Sequence, residues 1–72
     1  MRGKRIHPED IPATEPGPLL FRTRNGGRAT VRRAPLGGFV GYLRGGSTSR
    51  GWNPHGRRIT EPQADLMWRV KR

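Results

Sequence analysis

Nine arginines lie between Pro16 and Thr60, and no Asp or Glu occurs in that stretch. A guanidinium is planar, permanently charged and donates in a fixed fork. A set of them without acids suits bidentate contact with phosphate or carboxylate. Arg44 and Arg50 bracket the loop Gly45-Gly46-Ser47-Thr48-Ser49, and Arg57 and Arg58 follow after one further turn. Backbone N–H groups and hydroxyls in a glycine loop can cradle an anion, which makes Ser47 and Thr48 candidate phosphate contacts. The loop is not a P-loop, because the Lys-Ser/Thr end and the following helix are missing. A flexible hairpin loop is the competing reading. Arg28 and Arg32 share a face with Thr30, either as a phosphate track or as a device that stops an edge strand from pairing. Tyr42 and Trp52 stack a base if they are exposed and fill a core if they are not. The candidate ligand surface is therefore Arg28, Arg32, Arg44, Ser47, Thr48, Arg50, Arg57 and Arg58, with Trp52 and Tyr42 as stacking rings.

Catalytic chemistry fits poorly. The five acids are Glu9, Asp10, Glu15, Glu61 and Asp65, all outside the predicted sheet, so no pair of positioned carboxylates is legible. Ser47 and Ser49 have no His-acid partner set. His7 and His55 are far apart with no third ligand type nearby, which argues against a metal. No catalytic residue, metal or cofactor is expected, and the chain reads as a non-enzyme.

Fifteen basic residues, thirteen of them arginine, oppose five acidic ones in 72 residues, for a net charge of +10. Such a field attracts polyanions or an acidic protein face. The length makes one small domain at most. Its 17 large apolar side chains besides Met1 support only a small core. A large buried active site is therefore excluded, and a homo-oligomer or a bound partner is expected to help the fold. Cysteine is absent, which excludes a disulfide scaffold and thiol catalysis. No apolar run approaches the roughly 20 residues that cross a bilayer. The start, MRGKRIHPED, lacks the apolar stretch of a secretory signal. A cytoplasmic protein without membrane contact is the expectation.

These side chains need a frame, and the chain reads in three parts. Residues 1–18 hold four of the seven prolines and form an extended arm, with Ile6 and Ile11 as anchors. Residues 19–72 form a small β domain. Strands are predicted from Leu19 to Arg24, Arg28 to Arg33 and Phe39 to Arg44. The first two are joined by Asn25-Gly26-Gly27, whose residues tolerate positive φ. Asn53-Pro54-His55-Gly56 reads as a tight turn joining strands around Arg50–Trp52 and Arg57–Ile59. Gly41 marks a bulge or a close backbone approach. Thr60-Glu61-Pro62-Gln63 reads as a helix start, with Thr60 as N-cap. A strand from Asp65 to Val70 is the alternative, and Trp68 is expected to close the core or a subunit interface. The fold class is mainly β: a small antiparallel five-stranded barrel or curled sheet, a short C-terminal helix and an extended N-terminal arm.

Asn25-Gly26-Gly27-Arg28, the strand Gly38-Phe39-Val40-Gly41-Tyr42-Leu43, the turn Trp52-Asn53-Pro54-His55-Gly56-Arg57 and the late Asp65-Leu66 together resemble a group of small bacteriophage- and prophage-encoded accessory proteins. The likeness covers roughly residues 21–70 and lies in spacing and turn type. The chain departs from that group in its basic middle loop and its longer proline-rich front. The resemblance implies a compact, mostly β phage protein in the cytoplasm of a bacterial host. Some proteins of that kind counteract host defence, which is analogy at the level of the fold.

Three classes of function follow. The first is a non-enzymatic binder of an anionic nucleotide or nucleic acid. A defined pocket would mark a small-ligand sponge, and an open basic face a nucleic-acid binder. The second is an inhibitor docking on an acidic host protein surface. The third is a virion or assembly component with a threading arm.

Overall fold

The computed structural model describes residues 5–12, 14–15 and 17–70. Five strands form one antiparallel sheet: β1 (Leu19–Thr23), β2 (Arg28–Arg33), β3 (Phe39–Leu43), β4 (Arg50–Trp52) and β5 (Leu66–Arg69). Their order across the sheet is β4-β3-β2-β1-β5. The first four make a meander of hairpins, and β5 returns to the outer edge of β1. Asn25 builds the first turn, with its Oδ1 accepting from the Gly27 N–H at 3.1 Å and from Thr23 Oγ1 at 2.6 Å. Gly26 supplies the positive φ of 88° that this turn needs.

The sheet has two unlike faces. Alternation sends Leu19, Phe21, Ala29, Val31, Phe39, Trp52 and Leu66 to one side, where all are nearly inaccessible. Phe21 and Phe39 meet edge to face, with ring centroids 5.8 Å apart. The N-terminal segment roofs this side. A 3-10 turn at Pro8–Asp10 buries Pro8, and Ile11 joins the core, with Ile6 packed beside it. The same segment runs along β5, where the Arg69 N–H donates to Ile6 O at 2.7 Å and His7 Nδ1 donates to Met67 O at 2.9 Å. Of the charged terminal runs expected at Met1–Arg5 and Arg69–Arg72, residues 1–4 and 71–72 lie outside the described residues.

Three expectations are corrected. The sheet is open rather than closed into a barrel, because β4 and β5 stand at its two edges without pairing. No strand forms around Arg57–Ile59, where side chains take the backbone donors. Asn53 Oδ1 accepts from the Arg57 N–H at 3.0 Å, and Asp65 Oδ1 accepts from the Arg58 N–H at 2.8 Å. Among the described residues the short C-terminal helix is not found either. Pro62–Ala64 makes a single 3-10 turn after Glu61, not Thr60, and Leu66–Arg69 is a strand. The free edge of β1 offers that segment a ladder of hydrogen bonds, which a helix there would leave unmade. Among the described residues no helix is long and apolar enough to cross a membrane.

Candidate anion-binding face

The side of the sheet away from the core carries the chemistry. Residues directly opposite in antiparallel strands share a face, so the register fixes the layout. Arg28 is paired with Arg22 on β1, Arg22 with Trp68 on β5, and Arg28 faces Arg44, whose N–H donates to Arg28 O at 2.8 Å. One row therefore reads Arg44, Arg28, Arg22, Trp68 across four neighbouring chain segments. The next row is Tyr42, Thr30 and Leu20, and the third contains Val40 and Arg32. Tyr42 is 49% exposed and Val40 37%.

A β-bulge decides one end of this layout. Leu66 faces Thr23 while Trp68 faces Arg22, so two steps on β5 match one step on β1. The extra residue, Met67, turns Leu66 into the core and Trp68 onto the open face. The guanidinium of Arg5 lies over the Trp68 ring, 3.9 Å from its centroid.

Shallow depressions run between the rows. One is lined by Leu20, Arg28, Thr30, Tyr42, Leu43, Arg44 and Gly45, and a second by Pro18, Thr30, Arg32, Val40, Tyr42 and Ser49 among others. A third holds Arg22, Arg28 and Arg44 together. No carboxylate lines any of the three. Among the described residues, Arg22, Arg28, Arg32 and Arg44 form no ion pair with a carboxylate. The acids are engaged elsewhere: Asp65 with Arg24 at 3.0 Å, Glu61 with Arg50 at 2.8 Å and Arg58 at 3.1 Å, and Glu15 with Arg69.

The predicted ligand residues divide accordingly. Arg28, Arg32, Arg44 and Tyr42 come together on the open face. Arg50 and Arg58 do not, since both grip Glu61, and Arg58 Nη1 also donates to Gly51 O at 2.8 Å. Their hydrogen bonds and charge hold the Glu61 carboxyl below its ordinary range, against a smaller opposing effect of burial. Trp52 is only 4% exposed, and its Nε1 donates to Ala64 O at 2.9 Å, so this ring is core and not a stacking platform. Arg57 is exposed but lines a separate small cleft with Glu9, His55 and Asp65. Ser47 and Thr48 are exposed in the β3–β4 loop, and from that loop Gly45 and Ser49 border the depressions instead. β2 lies inside the sheet, so its arginines guard no edge.

Comparison with protein-family models, with curated proteins and with solved structures gives no match. The functional case therefore rests on the face itself. Three of its members went unnoticed in the sequence: Arg22, Trp68 and Arg5. Arg22 was within reach, because a hairpin through Asn25-Gly26-Gly27 puts it opposite Arg28. Trp68 was not, because a bulge leaves no mark in an alternation of residue types.

Proposed function

We propose that this chain is a non-enzymatic nucleic-acid-binding protein that holds phosphates with Arg22, Arg28, Arg32 and Arg44 on the open face of its sheet. One observation carries this reading. Arg44, Arg28 and Arg22 stand side by side across three chain segments with no carboxylate among them. Like charges directly opposite each other in a sheet cost stability, and a polyanion laid across the row relieves that cost. The shallow, spread-out depressions favour a polymer over a small nucleotide, which would be gripped from one side only. An acidic protein surface is the second candidate partner, and the exposed Tyr42 beside the row favours nucleic acid over it.

The test is fluorescence anisotropy with labelled oligonucleotides across a range of salt. Four phosphate contacts predict a log–log slope of about −3. Arg28→Ala with Arg44→Ala should weaken binding and flatten that slope by one to two. Affinity indifferent to salt, or unchanged in the folded double variant, rejects the face as the site.

A further inference from the structure

We infer that the preferred partner is single-stranded, with one base stacked on Tyr42, another on the Arg5–Trp68 pair, and the backbone phosphates lying on the arginine row between them. This rests on the proposed nucleic-acid function and narrows it.

The open face is not uniformly charged. Leu20, Val40, Pro18 and the Tyr42 ring line the depressions between the arginines. A duplex presents only phosphates and groove edges to a flat face, so apolar ground gains it nothing. Unpaired bases have π faces that bury against such ground, and each stack on an aromatic ring strengthens binding in a sequence-tolerant way. Among the described residues the open face projects neither a helix nor a free two-stranded ribbon into a groove.

The two stacking stations are placed for a chain to cross the sheet. Tyr42 stands on β3 and Trp68 on β5, three strand spacings across and one pleat repeat along, roughly 16 Å by strand geometry. Arg28 and Arg22 occupy the two strands between them. Tyr42 borders two depressions, with Arg28 and Arg44 in one and Arg32 in the other, so a base on either side of it has a cation within the same hollow. At the other end Arg5 already lies over Trp68. Guanidinium planes stack bases as rings do, and Trp68 supports that plane from beneath.

The experiment compares an oligothymidine of about 12 nucleotides with a duplex of the same length, using Tyr42→Ala, Tyr42→Phe and Trp68→Ala. The single strand should bind at least tenfold tighter than the duplex. Tyr42→Ala should lose about tenfold on the single strand with its salt slope unchanged, and Tyr42→Phe should restore it. Tyr42 is half-exposed, so its variants leave the core intact, and they decide the matter should Trp68→Ala fold poorly. Equal affinity for duplex and single strand, with Tyr42→Ala silent, overturns this inference while the electrostatic function stands. Binding of neither nucleic acid rejects both.

Discussion

Arg22 and Arg28 stand directly opposite each other across the β1–β2 pair, and both lack a carboxylate partner among the described residues. Two cations at one register position repel; Arg22 offsets part of this by donating from Nη1 to Gly26 O at 3.0 Å, whereas Arg28 makes no such side-chain bond among the described residues. Replacing one of them separates function from stability. Arg28→Thr should leave the protein as stable as before, or more stable by about 0.5 kcal/mol, because Thr suits a strand and the repulsion is gone. The same variant should lose nucleic-acid affinity. Thermal unfolding and anisotropy on one preparation check the pair of outcomes, and a clear fall in stability would contradict the argument.

Arg58 predicts the opposite pattern. It holds Glu61 and Gly51 O and lies over Trp52 with its guanidinium 5.8 Å from the ring centroid. Arg58→Ala should lower the unfolding temperature by several degrees while the folded fraction binds oligonucleotide as the parent does. Calorimetry and binding at a temperature where both proteins are folded distinguish this from a ligand contact.

Acid should weaken the fold through two carboxyls. Asp65 is 6% exposed. Burial raises its pKa, but hydrogen bonds from the Arg58 N–H and Arg24, with the charges of Arg24 and Arg57, outweigh that and hold it low. Glu61 is also held low, chiefly by its bond from Arg50. A folded-state pKa below the unfolded one means stability that is present above the ordinary carboxylate range and lost as pH falls through the folded values. Unfolding temperature should thus be flat near neutrality and drop below about pH 4. Asp65→Asn should be less stable at neutral pH and show a shallower acid decline; an unchanged decline would remove Asp65 from the account.

Gly41 is set against the backbone of β2. A Cβ there would stand 2.1 Å from Thr30 O and 2.6 Å from Val31 Cα. Gly41→Ala should force the two strands apart at the centre of the sheet, at a cost of about 3 kcal/mol. Loss of the cooperative unfolding transition, or a large fall in its midpoint, is the expected result. A parent-like melt would show that the strands separate freely.

Much of this frame was legible because it is local. The bounds of β2 follow from Asn25-Gly26-Gly27 on one side and Pro35 to Gly38 on the other, and Arg50–Trp52 sits where the loop and turn signals leave room for a strand. Gly41 as a place of close backbone approach was also readable. From Asp65 to Val70 helix and strand were both open, and the free edge of β1, distant in sequence, decides for a strand at Leu66–Arg69. The Arg57–Ile59 segment loses its expected strand to side-chain acceptors close in sequence, on Asn53 and Asp65. The site was half legible for the same reason. Alternation within β2 and β3 places Arg28, Arg32 and Tyr42 together, whereas nothing in the sequence says that Glu61 claims Arg50 and Arg58.

The strand order also predicts an order of assembly. The meander from β1 to β4 needs only neighbouring hairpins and closes by short loops, while β5 must find β1 from the far end of the chain. Until it does, Leu19 and Phe21 lie beneath an unfinished edge, and the N-terminal segment has no β5 to run beside. The strand predicted to pair last is the one that completes the core, aligns the first residues and delivers Trp68 to the working surface. The arginine row and Tyr42 belong to the meander, so of the binding face only the Trp68 end waits for this step.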